Sequence, residues 1–550
     1  MCGILGIINA MAPYIYEKNF GNGSSRGPEY SSLRCFRGNI VLGFHRLSIN
    51  GLDSDSDQPL EIDNIVLVCN GEIYNYKELY QLIDEESCRE TDSDCEIIIH
   101  LYKKYGIEQT LQMLDGEFSF ILIDINLEQG FVARDPYGLR PLFHYKKDTL
   151  LMFTSELKMI NSHISQDNHV HQFEPGTFMK LNLKKWLVNI EYKKRFSNFP
   201  FSYSTLNSVD GDIVGIMKQI NSNLREAVRK RLTNTDREVC CLLSGGVDSS
   251  LICAIAQEYS QTPIKTFSIG LKDSIDLINA KKVAEYIKSE HHEVIVSDDE
   301  FFNAIPEVIR VIESYDTTTV RASVGNYLIS KYIRDTTDCK VVLNGDGADE
   351  LSGGYLYFST CIDPIEFDKE CKRLLNDICY FDVLRSDRSI SSNGLEARTP
   401  FLDITLVQHY LSISTHLRCD STNERMEKFL IRMAFNYDNL LPDEILWRRK
   451  EAFSDGVSGV SGVSGVSGAN KSWSEIIKEK INQLPDEMLS NINKEYDHNN
   501  PTTKEQQYYR YLFEQHYRYC EKTIPYLWMP KYVNADDSSA RTLSIYKPSV

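Results

Sequence analysis

The stretch Leu242-Leu243-Ser244-Gly245-Gly246-Val247-Asp248-Ser249-Ser250 constrains this chain more than any other. The run Glu238 to Cys241 before it suits a buried strand, and Leu251 to Ala256 after it suits the opening turns of a helix. A strand, a Gly-Gly turn and a helix that starts with Asp and two Ser residues make an anion cradle. The glycines permit close backbone approach, the first helical N–H groups lack internal partners, and the hydroxyls add donors. It is not a Walker A loop, which needs a lysine and a four-residue spacer. The same residues also suit a capped helix after a tight turn. What surrounds the stretch has to decide.

The surroundings are those of a parallel sheet. Ile213 to Arg231 has the periodicity of an amphipathic helix, and Ile264 to Ile269 reads as a strand. Ile275 to Lys288 reads as a helix, with short β runs at Glu293 to Val296 and Lys340 to Leu343. Strands alternating with helices imply crossover connections, with ligands at the carboxyl ends of the strands. Ser244 to Ser250 and Asn344 to Glu350 both fall there. Beyond residue 400 the pattern is mainly helical, and the aromatic stripe of Lys504 to Tyr517 reads as core.

The first part of the chain follows another pattern. Gly3–Ile8, Ile40–Phe44, Ile65–Cys69, Phe118–Asp124, Gly130–Ala133 and Leu150–Thr154 are β-like, with helical periodicity at Tyr76–Leu82 and Cys95–Tyr105. Two packed sheets covered by helices are expected. With 550 residues the chain exceeds a single core. The division expected is a first domain over 2–190, a polar linker over 191–212, a second domain over 213–525 and a tail over 526–550. Within the second domain, 456–468 is a Gly-Val-Ser repeat that cannot bury a core.

Composition excludes several classes. The formal charge of −18 argues against nucleic acid or an anionic membrane as the main partner. The 14 Cys residues form no zinc-type spacing, and several lie in apolar runs, as in a reducing compartment. No apolar run has the length of a membrane span, and no basic-then-apolar leader opens the chain. A cytoplasmic protein is expected.

The N-terminus is chemically pointed. Met1-Cys2-Gly3-Ile4 would, after removal of Met1, leave a thiol and an α-amine on one residue. That amine, with an ordinary pKa near 8, can serve as base for its own thiol. Arg46 at a strand end offers a cation, Cys69 to Tyr76 a turn with amide donors, and Asp94 a carboxylate at a helix start. An amino-acid substrate asks for those groups.

On Cys2-Gly3-Ile4, Arg26-Gly27-Pro28, His45 to Ile49, Asn70-Gly71-Glu72, Ser93-Asp94, Phe131 to Asp135 and Gly138 to Leu142, the first half resembles the class II glutamine amidotransferases. These are N-terminal-nucleophile hydrolases with an αββα sandwich. The cradle resembles the pyrophosphate loop of the ATP-pyrophosphatases, whose α/β domain has the adenine-nucleotide alpha-hydrolase arrangement. Phe267 to Leu271, Ser314 to Thr318, Arg321 to Ser323, Asn344 to Glu350 continuing to Tyr355, Gly394 to Asp403, Arg449 to Gly456 and Asp537 to Tyr546 extend the match. The combination resembles the glutamine-hydrolysing asparagine synthetase family over nearly the whole chain.

The resemblance implies a reaction. Cys2 attacks glutamine, with Asn70 and Gly71 holding the oxyanion. Arg46, Leu47, Ser48, Ile49 and Asn50 hold the glutamine α-carboxylate side, and Glu72 and Asp94 its ammonium. ATP activates aspartate as β-aspartyl-AMP, and ammonia displaces AMP. Leu242, Ser244, Gly245, Gly246, Asp248, Ser249, Ser250, Ile269, Asn344, Gly345 and Lys450 are expected around ATP. Asp248 and Asp349 are expected to take magnesium, and Arg321, Asp346 and Glu350 to serve aspartate and its intermediate. A homodimer is a further expectation.

The family pattern has Ser-Gly-Glu-Gly-Ser-Asp-Glu where this chain has Asn344-Gly345-Asp346-Gly347-Ala348-Asp349-Glu350, so a catalytic Glu is here Asp346, one methylene shorter. Two alternatives share the architecture. One is a β-lactam synthetase type, in which an internal amine closes a ring and an intact Cys2 site has no purpose. The other is a binding protein or glutamine sensor, for which Asn344 and Asp346 are the support.

Overall fold

The computed structural model describes residues 1–83, 89–197, 212–420, 424–449, 472–485 and 496–546. The first unit holds strands β1 (Gly3–Ile8), β2 (Tyr30–Phe36), β3 (Ile40–Arg46), β4 (Leu60–Ile62), β5 (Ile65–Ile73) and β6 (Gly116–Asp124). It continues with β7 (Gln129–Arg134), β8 (Phe143–Lys147), β9 (Leu150–Thr154), β10 (Val170–Gln172), β11 (Thr177–Asn182) and β12 (Asn189–Arg195). They form two six-stranded sheets, ordered β10-β8-β9-β1-β3-β2 and β12-β11-β7-β6-β5-β4. β12 carries the first unit past residue 190, into the expected linker.

Strand periodicity explains the layers. Ile4 and Ile8 of the first sheet meet Val66, Val68, Ile121 and Ile123 of the second in one buried cluster. The alternate residues Leu67 and Cys69 point outward to the helices Tyr76–Ile83 and Ile97–Met113. Because both faces are covered, β5 reads Ile-Val-Leu-Val-Cys without polar alternation. The outer face of the first sheet, with Leu5, Ile7 and Val41, shares a cluster with Ile309, Ile312 and Leu384 of the second unit. The two halves are therefore joined by core.

The second unit is a parallel sheet of β13 (Val239–Leu242), β14 (Lys265–Leu271), β15 (Glu290–Val296), β16 (Val341–Leu343) and β17 (Glu396–Arg398), ordered β15-β14-β13-β16-β17. Cys241 lies opposite Thr266 on one side and Leu343 on the other. This places the loops after β13 and β16 side by side at the carboxyl edge. In the helix Lys504–His516 the stripe residues Tyr508, Tyr509 and Phe513 are buried. The tail packs back through buried Trp528 and Leu543. The Gly-Val-Ser repeat lies outside the described residues, among which no helix is long and apolar enough to cross a membrane.

Candidate active sites

Cys2 precedes β1, and its thiol donates to the Leu47 carbonyl at 3.5 Å. Its own carbonyl accepts from Arg26 Nε at 2.8 Å, and Arg26 is held in turn by Asp387 of the second unit at 2.7 Å. Burial pushes the thiol up to about 11. The Met1 ammonium donates to the Leu395 carbonyl, just before β17. Burial also lowers that amine to about 5. With Met1 in place the Cys2 nitrogen is an amide and no base.

Around the thiol, β5 presents Asn70, Gly71 and Glu72 next to β6, where Gly71 faces Phe118. A Cβ on Gly71 would come within 2.5 Å of the Glu117 carbonyl oxygen, so only glycine fits. Asn70 Nδ2 is buried with no hydrogen-bond acceptor among the described residues. A buried amide N–H without an acceptor is costly, and marks a position prepared for a developing charge. Glu72 Oε2 accepts from Asn50 at 2.7 Å and lies 3.2 Å from Arg398. Asp94 Oδ2 accepts from the Ile73 N–H at 2.6 Å. Burial raises both carboxyls, Asp94 to about 6 and Glu72 well above the usual range, where Glu396 adds to the effect. Arg46 spends three bonds on its own loop, through the Gly51 and Asp53 carbonyls and Asp57. Leu47, Ser48 and Ile49 are buried beside it.

The second site opens where β13 and β16 end. Gly245 has φ 71°, and a Cβ there would lie 2.5 Å from Asn279 and from the Ala280 backbone. Ser249 Oγ bridges the Ser244 N–H at 3.1 Å and the Ser244 hydroxyl at 3.0 Å. The helix Val247–Tyr259 starts without a side-chain cap, which leaves its first N–H groups to the pocket. The Asn344–Glu350 loop crosses so closely that a Cβ on Gly345 would stand 2.9 Å from Ser249 N. One pocket is lined by Leu242, Ser244, Gly246, Asp248, Ser249, Ile269, Asn344, Gly345, Asp346, Asp349 and Glu350. Gly245 and Ser250 lie behind its wall and shape the turn. Between Asp248 and Asp349 sits the fully buried Lys428 ammonium, 2.5 and 2.6 Å from their oxygens. At the far end Arg385 bonds Asp346 at 2.7 Å and Asp382 at 3.1 Å. Glu350 accepts from Tyr355 at 2.5 Å, and burial beside Asp382 raises its carboxyl well above the usual range.

Two more of the expected residues are not on the described lining of this pocket. Arg321 does not reach this pocket: its guanidinium is bound at 2.6 Å by Glu505 and at 2.6 Å by Asp537, tying the tail to the helix Thr317–Thr336. A buried cation takes whichever carboxylates the fold supplies, here Glu505 of the helix Lys504–His516 and Asp537 of the tail. Lys450 lies outside the described residues. Its neighbours Arg448 and Arg449 line the pocket, and Arg448 also donates to the Gly245 carbonyl at 3.0 Å. Lys428 and Arg385 carry no motif that reading the sequence could use, and Arg398 lies in the matching segment Gly394 to Asp403 without a role that the sequence assigns.

The two sites meet at a buried charge layer. Arg140 contacts Glu117 at 3.2 Å, Arg231 joins Glu117 and Asp403, and Arg398 bridges Glu396 and Glu72. Arg398 also passes its carbonyl to the Asn344 N–H, so the same residue touches both sites.

A family model described as a glutamine amidotransferase domain matches residues 1–191, and one described as asparagine synthase matches 219–362 and 363–528. The chain is similar to the asparagine synthetase [glutamine-hydrolyzing] of Cricetulus griseus, 43% identical over 547 residues, covering 95% of this chain and 94% of the relative. The human enzyme of the same description is 42% identical over 550 residues, 96% of this chain and 95% of its own. Among solved structures, a B. subtilis glutamine phosphoribosylpyrophosphate amidotransferase is 17% identical with a TM-score of 0.33, covering 54% of this chain and 91% of that one. The chain belongs to the glutamine-hydrolysing asparagine synthetases.

Proposed function

We propose that this protein makes asparagine from aspartate, with glutamine as nitrogen donor and ATP as activator, releasing glutamate, AMP and pyrophosphate. The observation that supports this most is the single pocket uniting Ser244 to Ser249 with Asn344 to Glu350. A triphosphate and an acidic substrate can then share one cleft, while a thiol site lies in the other unit.

In the first site the Cys2 thiolate adds to the glutamine carboxamide carbon. Asn70 Nδ2 and the Gly71 N–H take the oxyanion, ammonia leaves, and water cleaves the thioester to glutamate. Glu72 and Asp94 hold the ammonium of glutamine, and Arg46 with Leu47 to Asn50 holds the carboxylate side. In the second, an aspartate β-carboxylate oxygen attacks the α-phosphorus, and pyrophosphate leaves against the cradle. Ammonia then displaces AMP from β-aspartyl-AMP. Leu242 and Ile269 enclose the adenosine, and Asp346, Arg385 and Glu350 surround aspartate. Arg385 is the guanidinium here in place of Arg321.

Magnesium fits the donor set. Asp248 and Asp349 offer hard oxygen ligands on the pocket wall, and no group of three metal-ligating side chains exists among the described residues. Phosphate oxygens and water would complete the shell. Bound there with ATP, the ion supplies neutralising charge to the triphosphate; Lys428 holds the two carboxylates together.

Incubation with aspartate, ATP, magnesium and glutamine should yield asparagine, AMP and pyrophosphate in equal amounts. ADP in place of AMP, or product formation independent of aspartate, would contradict the reading. A pH effect follows from Asp94, whose carboxyl is raised to about 6. Above that pH it is anionic and holds the substrate ammonium; below it, the attraction is lost. The kcat/KM for glutamine hydrolysis should therefore fall about tenfold per pH unit below about 6. A profile flat to pH 5 would remove Asp94 from that role.

A further inference from the structure

The segment 47–51 has no regular secondary structure, yet Leu47, Ser48 and Ile49 are buried. Three of the bonds to its backbone come from the other half of the protein. The turn that leads into β13 meets it along its length. The Asp236 N–H donates to the Ile49 carbonyl at 2.9 Å, and Asp236 Oδ2 accepts from the Gly51 N–H at 3.0 Å. Arg237 Nε donates to the Ser48 carbonyl at 2.7 Å. Arg237 Nη2 reaches Glu29 Oε1 at 2.6 Å, and the other Glu29 oxygen accepts from the Ser48 N–H at 2.6 Å. On the inner side, the Gly51 carbonyl accepts from Arg46 and the Leu47 carbonyl from the Cys2 thiol. Gly51 sits at φ 59°, where a Cβ would meet Ser56 Oγ at 2.3 Å, so the chain must turn there.

We propose that Asp236 and Arg237, which belong to the ATP-using half, are positioning residues for glutamine. They rest on the reading above, in which the 47–51 loop holds the substrate carboxylate side. A loop without its own hydrogen-bond ladder keeps one conformation only through the groups that bind its backbone. Here the outer edge is fixed at Ser48, Ile49 and Gly51 by one turn, so the inner edge presents Leu47 and Asn50 to Cys2 and Glu72 in a set geometry. Substrate then binds without the cost of ordering the loop. Neither Asp236 nor Arg237 lines the ATP pocket. Their loss therefore acts on glutamine binding and leaves the chemistry of the second site intact. Simple glue between the halves would behave differently, because loosening the interface weakens both activities together.

The test uses the full chain with variants Arg237→Met, Glu29→Gln, Asp236→Ala and Asp236→Asn, measuring glutaminase kinetics and ammonium-supported synthesis. Arg237→Met, Glu29→Gln and Asp236→Ala should each raise the KM for glutamine about tenfold, with kcat changed less than about twofold. Asp236→Asn keeps an oxygen acceptor for Gly51 and should stay near wild type. The double variant Arg237→Met with Glu29→Gln should be no worse than either single, since both break one bridge. The KM for ATP and for aspartate and the ammonium-supported rate should be unchanged in all of them. An unchanged glutamine KM, or a parallel loss of ammonium-supported synthesis, overturns the proposal. Cys2→Ala run alongside separates the two levels. If it still hydrolyses glutamine, the reading of the first site fails. If it is dead while the other variants keep the wild-type KM, only the positioning role fails.

Discussion

Cys2→Ala should abolish asparagine formation from glutamine, by about 10³-fold or more, while synthesis from added ammonium persists. The asymmetry follows from the layout. Cys2 sits at the head of β1 with its thiol on the Leu47 carbonyl, whereas the cradle and the Asn344–Glu350 loop line a separate pocket in the parallel sheet. Removing one sulfur deletes the nucleophile without disturbing any group that touches ATP. The N-terminus adds a second arm. With Met1 attached, burial holds the thiol at about 11, and the nearby amine belongs to another residue. Intact-mass measurement of active protein should show Met1 gone. A form that retains it should hydrolyse glutamine at least about 10²-fold more slowly, because the thiol has lost its own amine as base. Equal loss of ammonium-supported synthesis in Cys2→Ala would contradict the division of labour.

How much of this was legible beforehand depended on where each interaction closes. The cradle closes within a few residues: Gly245 turns, Ser249 bridges back to Ser244, and the helix begins, so the local sequence carries the whole device. The strands β1, β5 and β9 were legible for a similar reason, as continuous apolar runs buried on both faces. β17 was not, because Glu396-Ala397-Arg398 is a strand only through pairing with β16, and its charges are paid for by Arg140, Glu72 and one another. The buried cations were the least legible class. Lys428 meets Asp248 across 180 residues of chain, and nothing near it in sequence marks it apart from any other lysine. Arg321 shows the converse. It stands in a segment that matches the family, yet Glu505 and Asp537 claim it from the far end of the chain. Motifs place loops well, but the partner of a buried charge is a property of the assembled fold.

Lys428→Met should therefore have a large and divided effect. The substitution keeps the volume of the side chain but removes the ammonium from between Asp248 and Asp349. Two carboxylates then share a poorly solvated site with their common cation gone, which costs about 3–5 kcal/mol. For a unit of this size that corresponds to a fall of about 10 °C in the melting midpoint. Synthesis from ammonium and from glutamine should both drop by about 10²-fold or more, because Asp248 and Asp349 on the pocket wall lose the cation that holds them in place. Glutamine hydrolysis should survive, since Lys428 contributes nothing to the Cys2 site. Magnesium chloride without nucleotide provides the discriminating measurement. If the carboxylate pair is what Lys428 neutralises, a divalent cation should raise the midpoint of Lys428→Met more than that of the wild type, whose two carboxylates already have a counter-charge. A variant that is as stable as wild type, or one that magnesium leaves untouched, would show that the Asp248–Lys428–Asp349 bridge does not organise the pocket.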